Sequence, residues 1–154
     1  YKAKEYGVHT KFIELAGEIN MNMPRYVLDK LIFGLASVNK ILRESRILVL
    51  GIAYKKNVDD VRESPSVNIM ELLKENEAIV SYSDPHVLEF PKMRDHEFSL
   101  KSVDINKETL KSFDAVILST DHDSFDYDLI LKNSNLIIDC RGKFREPNSK
   151  VIKA

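Results

Sequence analysis

ILVLGIAYKKNVDDVRESPS, residues 47–66, joins an apolar strand pattern to a charged loop and then to a helix start. The first four residues form a short apolar run ending at Gly51, which is typical of an inner strand of a parallel sheet. Ser64 and Pro65 then supply an N-cap and a first-turn proline for a helix with an apolar stripe that includes Ile69. The loop therefore lies at the carboxyl end of a strand, where open α/β sheets bind their ligands.

The rest of the sequence predicts one α/β domain preceded by a long helical segment. Apolar runs and helical patterns alternate, which predicts strands at 47–50, 78–83, 115–120 and 136–140, a short strand near 98–103, and helices at 65–75, 107–112 and 125–132. This alternation predicts a Rossmann-like, doubly wound parallel sheet. Apolar positions at 12–35 recur at helical spacing, and Pro24 is expected to break or kink this segment into two helical pieces. We divide the chain into a helical segment at 1–44 and a sheet domain at 45–154.

Composition and charge limit the function. With 154 residues, 44% of them hydrophobic, the chain can bury one good core but hardly two. Its 23 basic and 24 acidic residues give a net charge of −1, so we expect neither nucleic acid nor a membrane as a partner. No apolar run reaches the roughly 20 residues of a membrane span, and a cytoplasmic location is expected. The single cysteine agrees with a reducing compartment, and the four histidines show no metal-ligand spacing.

The charged loop predicts an anion site that differs from a dinucleotide fingerprint. Two lysines and Arg62 follow the buried strand, so a phosphate ester is the expected guest. A dinucleotide loop needs three glycines, whereas this loop has only Gly51, and Ala53 and Tyr54 fill space that bare backbone would need. A phosphate would therefore be held largely by side chains, with Lys55 as the first candidate. The alternative is a solvated loop whose opposite charges pair at the surface.

Several strings resemble the UDP-glucose/GDP-mannose dehydrogenase family. GIAYKKNVDDVRESPS at 51–66 is similar to the start of the family's C-terminal, UDP-binding domain, SYSDPHV at 81–87 to the end of its second strand, and AVILSTDHDSFDYDLI with LIIDCRG to its later strands. EYGVHTKFIELAGEINMNMPRYVLDKL at 5–31 resembles the central dimerisation helix that follows the family's catalytic cysteine segment. The pairing of FIELAGEIN with STDHDSFDY is most similar to the branch that oxidises UDP-N-acetylhexosamines, typified by UDP-N-acetylglucosamine 6-dehydrogenases.

The resemblance implies roles for four residues. Tyr54, Lys55 and Arg141 match positions that contact the UDP-sugar, although Gly142 stands where relatives often carry asparagine. Arg62 matches the arginine that reaches toward NAD, a cofactor bound mainly by a preceding domain. The implied reaction is a two-step oxidation of a sugar C6 alcohol to a carboxylate, with a thiol-linked intermediate.

The resemblance also implies what this chain contributes to the reaction. The family's nucleophilic cysteine precedes the helix with which the chain begins, so no catalytic residue is expected here. The chain should supply the UDP grip and a homodimer contact through its N-terminal helices, and be inactive alone. A UDP-glucose 6-dehydrogenase fragment and a free-standing nucleotide-binding domain remain alternatives. A response-regulator-like domain is disfavoured, because Asp59 and Asp60 lie too far beyond Gly51 for its acidic pocket.

Some residues allow more than one interpretation. Cys140 ends an apolar strand and is interpreted as a small buried hydrophobe instead of a nucleophile. Asp84 could bind a ribose hydroxyl, but before Pro85 we favour a turn former. His122 either lines the ligand crevice or belongs to a helix start in which Ser124 is the N-cap. The helical segment could also fold back on its own sheet.

Overall fold

The computed structural model describes residues 11–93, 96 and 98–154, which form a parallel sheet with helices on both faces. His9 and the first ten residues of the predicted helical segment lie outside the described residues. The helices are α1 Lys11–Ser37, α2 Pro65–Glu75, α3 Lys107–Ser112 and α4 Tyr127–Asn133. The strands are β1 Arg46–Leu50, β2 Ile79–Ser83, β3 Ala115–Leu118, β4 Ile137–Asp139 and β5 Val151–Lys153. The predicted fold class, a helix followed by a Rossmann-like α/β sheet, is confirmed.

The sheet has the strand order β2-β1-β3-β4-β5, and all its pairings are parallel. Chain progression therefore reverses direction between β1 and β3. In a doubly wound sheet this reversal opens a crevice beyond the carboxyl ends of the two strands. The charged loop after β1 enters that crevice.

Both faces of the sheet are covered, as expected for parallel strands. Residues alternate along β1, so that Ile47 and Val49 pack in one core cluster and Leu48 and Leu50 in the other. The first cluster includes apolar residues of α1 and α2, and the second includes residues of α3 and α4. Each strand of the sheet interior is thus buried on both sides, which explains its continuous apolar sequence.

Helix α1 has a buried half and an exposed half. Leu31 and Leu35 are fully buried in the sheet core, whereas Phe12 is 84% exposed. The helix runs through Pro24 without interruption, so the expected break into two pieces is wrong. Packing of the second half against the sheet stabilises the helix beyond what its local propensity predicts. The fold-back alternative therefore holds for the second half of α1 and not for the first.

Helix and strand ends agree with the sequence in part. Ser64 is the N-cap of α2 with Pro65 at its first position, as predicted. The N-cap of α4 is Asp126, which accepts a hydrogen bond from Leu129 N at 2.9 Å, so the expected cap at Ser124 is wrong. The expected strand near 98–103 makes only isolated bridges, and the short edge strand β5 was not expected.

Gly51→Ala is expected to cost much more stability than Gly142→Ala. Both glycines have a left-handed backbone, with φ values of +75° and +64°. A Cβ on Gly51 would lie 2.3 Å from Thr120 O, whereas one on Gly142 would meet nothing within 4 Å. The left-handed conformation alone costs an alanine roughly 1–2 kcal/mol, and the clash should raise the total for Gly51→Ala to about 3 kcal/mol or more. Urea denaturation of both variants measures the difference. Equal losses would show that the loop yields to the added methyl group.

Candidate functional site

A cleft of about 550 Å³ lies beyond the carboxyl ends of β1, β3 and β4. Its walls come from the loop after β1, the start of α2, the residues after β3 and β4, and the middle of α1. This volume lies within the range of roughly 300–1,000 Å³ that small-molecule sites occupy. The sequence predicted that the loop after β1 and, through Arg141, the residues after β4 contribute to a ligand site. The wall formed by Asn20, Met23 and Pro24 was not expected, because it depends on how α1 packs.

The first backbone amides of the loop that follows β1 all donate hydrogen bonds to other groups of the domain. Gly51 N donates to Ser83 O at 2.9 Å, and Tyr54 N donates to Asp60 O at 2.7 Å. Ile52 N and Ala53 N, between them, donate to the carboxylate of Asp84 at 2.8 and 3.1 Å. Dinucleotide and P-loop sites bind phosphate through backbone amides at this position in the fold. Here those four amides already have acceptors within the domain, so they are not free to bind an anion.

Asp84 is a fully buried carboxylate at the end of β2. Besides the two loop amides, it accepts from His86 N at 2.9 Å, Val87 N at 3.2 Å and His122 Nε2 at 3.0 Å. Burial alone would raise the pKa of Asp84, but the hydrogen bonds from His122, His86 N and Ala53 N hold this pKa below its ordinary value. The predicted turn role is present in the bonds to His86 and Val87. The larger role, closing the loop after β1, was missed.

His122 lies beneath that loop and does not line the cleft. Its ring is fully buried, with Nε2 at Asp84 and Nδ1 accepting a hydrogen bond from Asn57 N at 2.9 Å. A ring nitrogen that accepts an N–H carries no proton, so the proton resides on Nε2 and is donated to Asp84. Neither of the two interpretations from sequence, crevice lining or a helix start capped by Ser124, describes this position.

The cleft brings together Tyr54, Lys55 and Arg141, three of the four residues singled out from sequence. The Lys55 ammonium lies 5.6 Å from the centre of the Tyr54 ring, within cation–π range. Arg141 Nε donates to Asp121 Oδ1 at 3.3 Å, and its side chain remains about half exposed. Two cations from different loops therefore border one cleft. A carboxylate, Glu63, also lines it.

Hydroxyl groups cross-link the floor of the cleft. Ser66 Oγ donates to Gly51 O at 3.1 Å and lies 2.6 Å from Ser119 Oγ. Thr120 Oγ1 donates to Ala53 O at 2.7 Å. These bonds tie the β1 loop to the start of α2 and to the residues after β3. The floor is therefore held rigidly, which reduces the ordering cost when a ligand binds.

Arg62 does not line the cleft. Its Nε and Nη2 donate to the two carboxylate oxygens of Asp60 at 3.0 and 2.9 Å, and its side chain is 83% exposed. The hydrogen bonds from Arg62 lower the pKa of Asp60 to about 2. The structure thus separates Arg62 from the three other predicted residues, and it presents the guanidinium to solvent beyond the loop.

Cys140 borders the cleft but is not poised as a nucleophile. Burial, followed by the nearby Asp139 carboxylate, raises the pKa of the Cys140 thiol to about 12. The thiolate is the reactive form of cysteine, and it is scarce at neutral pH when the pKa is this high. Across residues 11–93, 96 and 98–154, the structure shows no cluster of ligating side chains suited to a metal ion. No helix in the same residues is long and apolar enough to span a membrane.

The fold and the cleft define a doubly wound α/β ligand-binding domain. A model of the UDP-glucose/GDP-mannose dehydrogenase family, UDP binding domain, matches residues 48–146. The chain therefore belongs to the UDP-glucose/GDP-mannose dehydrogenase family, and the family resemblance found in the sequence is confirmed.

Relatives and solved structures agree with this assignment. The chain is 40% identical over 118 residues to the UDP-N-acetyl-D-mannosamine dehydrogenase of Methanococcus maripaludis, covering 76% of this chain and 25% of that protein. It is 29% identical over 146 residues to the enzyme of the same name from Escherichia coli K12, covering 88% of this chain and 33% of that protein. A structure of UDP-D-ManNAc dehydrogenase from Pyrococcus horikoshii has a TM-score of 0.74 at 26% identity, covering 98% of this chain and 34% of that one. The chain thus spans a quarter to a third of the length of these proteins.

Asp84→Asn is expected to destabilise the domain by about 3 kcal/mol at neutral pH, because it breaks a buried hydrogen-bonded pair. The pKa of Asp84 is lower in the folded chain than its ordinary value of 3.8. The ionised carboxylate therefore adds stability above about pH 4, and this contribution is lost as pH falls through the folded pKa. The stability gap between wild type and Asp84→Asn should narrow below pH 4.

Chemical denaturation from about pH 2.5 to about pH 7, a range that includes the ordinary pKa of an aspartate, tests this expectation. Asp60→Asn is the matched control, because Asp60 also has a lowered pKa but lies in an exposed ion pair. It should change stability only slightly. A gap for Asp84→Asn that stays constant with pH would contradict the assigned ionisation.

Proposed function

We propose that this chain is the C-terminal, nucleotide-sugar-binding part of an NAD-dependent UDP-sugar 6-dehydrogenase. The cleft at the switch point holds the UDP-sugar, with Lys55 and Arg141 at the diphosphate and Tyr54 beside it. Because the chain spans only part of its relatives, the catalysis of the whole enzyme is part of the proposal. The proposed division into a helical segment at 1–44 and a UDP-sugar domain at 45–154 is retained, with the second half of α1 packed on that domain.

Two features of the cleft together support the proposal: the loop amides are occupied, and two cationic side chains border the same space. The first loop amides after β1 already have acceptors, and Lys55 and Arg141 border the same cleft. Lysine offers a point charge and arginine a planar fork, and both suit diphosphate oxygens. This cleft does not fit a resident NAD, since a dinucleotide pyrophosphate needs open amides at this loop. We therefore assign NAD mainly to a part of the enzyme other than this chain.

The proposed substrate is a UDP-N-acetylhexosamine. The relatives described above are named as UDP-N-acetyl-D-mannosamine dehydrogenases. We therefore take the manno epimer ahead of the gluco epimer that the sequence strings suggested. The product would be the corresponding uronate, formed by two successive oxidations at C6. Such a reaction supplies uronate precursors for polysaccharide synthesis, and we place it in the cytoplasm.

Arg62 has a separate proposed role. Its guanidinium stands outside the cleft and is held in place by Asp60. We propose that it faces the cofactor bound by the rest of the enzyme. We propose no catalytic residue in this chain, because Cys140 is only partly exposed and the pKa of its thiol is raised to about 12.

The chain is expected to bind UDP more tightly than NAD, and Lys55→Ala should weaken UDP binding by about 1.5–3 kcal/mol, the scale of a hydrogen bond to a charged group. Titration calorimetry with each ligand measures both effects. Lys56→Ala is the matched control, because Lys56 pairs with Asp123 at 2.5 Å and does not line the cleft. It should leave UDP affinity unchanged. A preference for NAD, or equal effects of the two alanine variants, would contradict the proposed site.

We also propose that α1 mediates a homodimer. Large apolar side chains are exposed on the first half of the helix, namely Phe12, Ile13, Leu15, Ile19 and Met21. An apolar surface of this kind usually marks an interface. Leu31 lies in the stretch at 5–31 that resembles the family's dimerisation helix, but it is buried in the chain's own core and is excluded from the proposed interface.

The chain is expected to dimerise, and Phe12→Ser combined with Ile19→Ser should shift it to monomer. Ile79→Ser is the matched control, because Ile79 is as exposed as Ile19 but lies on β2 instead of α1. Light scattering coupled to size exclusion gives the mass of each species. A soluble wild-type monomer at high micromolar concentration would contradict the proposed interface.

The chain alone is expected not to reduce NAD with any UDP-sugar. In a longer protein that joins this chain to the cofactor domain of a family member, Cys140→Ser should retain most of the turnover, because we propose that the thiol is not the nucleophile. The melting temperature of the variant is measured beside its turnover, because replacing the thiol with a hydroxyl at this partly buried position lowers stability. Absorbance of the reduced cofactor measures turnover. Loss of turnover by several orders of magnitude in a folded Cys140→Ser enzyme would make Cys140 the nucleophile.

A further inference from the structure

The segment that carries Tyr54 and Lys55 is anchored at both ends. Tyr54 N donates to Asp60 O at 2.7 Å at its start, and Asn57 N donates to His122 Nδ1 at 2.9 Å at its end. Asn57 adopts a left-handed backbone with φ of 60°. Asparagine tolerates this conformation, but a tight turn of this kind still needs external contacts to stay in one position.

The anchor at the end of this segment is itself fixed. His122 donates through Nε2 to Asp84, and its ring packs against the rings of His86 and Phe125 at centroid distances of 4.9 and 5.4 Å. Its backbone carbonyl accepts from Tyr127 Oη at 2.6 Å. The imidazole therefore has one orientation, and it connects the end of the loop to the same carboxylate that holds Ile52 N and Ala53 N.

Exposed contacts also reach this part of the loop. Asp123 pairs with Lys56 at 2.5 Å, accepts from Asn57 Nδ2 at 2.7 Å and donates its N–H to Asn57 Oδ1 at 3.0 Å. Water and salt weaken such surface contacts. The bond from Asn57 N to His122 ends on a fully buried ring and is shielded from this competition.

We propose that His122 is a positioning residue that sets the place of Lys55 in the cleft through two linked hydrogen bonds: Nε2–H donates to Asp84, and Asn57 N–H donates to Nδ1. The inference rests on the proposed function, in which Lys55 contacts the ligand. The amides of Ile52, Ala53 and Tyr54 already have acceptors and are not free to bind the anion. The affinity for the anionic ligand therefore depends on the positions of the side chains that contact it. Loosening Asn57, two residues from Lys55, should therefore lower affinity even in a folded domain.

Two substitutions of His122 each remove one of the ring's two hydrogen bonds and keep the other. His122→Gln extends an amide to the position of Nε2, so it can still donate to Asp84 but leaves Asn57 N without its acceptor. His122→Asn places an amide oxygen near Nδ1, so it can still accept from Asn57 N but leaves Asp84 without its side-chain donor. His86→Gln is the matched control, because His86 is a neighbouring, exposed histidine whose ring packs against the His122 ring at a tilt of 52°.

The proposal predicts that affinity and stability change in opposite orders. UDP affinity, measured by calorimetry, should fall at least fivefold in His122→Gln and less than twofold in His122→Asn and His86→Gln. The melting temperature should fall most in His122→Asn, where a buried carboxylate loses a donor. Amide exchange by NMR should speed up at least tenfold at Asn57 in His122→Gln only. If affinity follows the melting temperature in all variants, His122 is structural and the proposal is overturned.

A measurement on the wild type keeps the proposal testable if either variant fails to fold. Long-range ¹⁵N–¹H NMR should show the His122 proton on Nε2 and none on Nδ1, and a proton on Nδ1 would overturn the proposal. The proposed function fails separately: wild-type chain that does not bind UDP would refute it, while Asn57 exchange would still report on the hydrogen-bond chain. Wild-type binding with an unchanged His122→Gln affinity would overturn only the role of His122.

Discussion

The buried carboxylate of Asp84 organises the ligand-binding end of the sheet. It accepts hydrogen bonds from Ile52 N and Ala53 N in the loop after β1, from two amides of its own turn, and from the His122 ring. A buried charge of this kind is stable only when it is well supplied with donors. Two of the donors to Asp84 are loop amides at the position where dinucleotide folds bind phosphate. The same constraint therefore closes the loop and leaves ligand binding to side chains.

Helix α1 shows how one element serves two surfaces. Its second half completes the core of the sheet, and Gly34 allows this close approach because a Cβ there would lie 2.8 Å from both Ile152 Cδ1 and Leu136 Cδ2. Its middle forms a wall of the cleft through Met23 and Pro24. Its first half carries large apolar side chains that are more than half exposed, such as Phe12 and Ile13. Burial of that surface between subunits would couple assembly to the shape of the cleft, since both depend on one rigid helix.

Local signals in the sequence predicted much of the fold but less of the site. The apolar run of β1 and the Ser64–Pro65 helix start depend on neighbouring residues, and both were predicted correctly. Asp84 was interpreted from Pro85 as a turn former, yet Ile52 N and the His122 ring, which also donate to it, lie 32 residues before it and 38 residues after it, so no local pattern could reveal them. The continuity of α1 through Pro24 depends on packing against the sheet, and β5 is a three-residue edge strand without a clear pattern.

We propose above all that side chains bind the nucleotide while Ile52 N and Ala53 N stay hydrogen-bonded to Asp84. A crystal structure of the chain with UDP bound tests it most directly. The account predicts diphosphate oxygens within hydrogen-bond distance of Lys55 Nζ and the Arg141 guanidinium, with Ile52 N and Ala53 N still donating to Asp84. Diphosphate bound to the Ile52 and Ala53 amides, with the Asp84 carboxylate displaced, would contradict it.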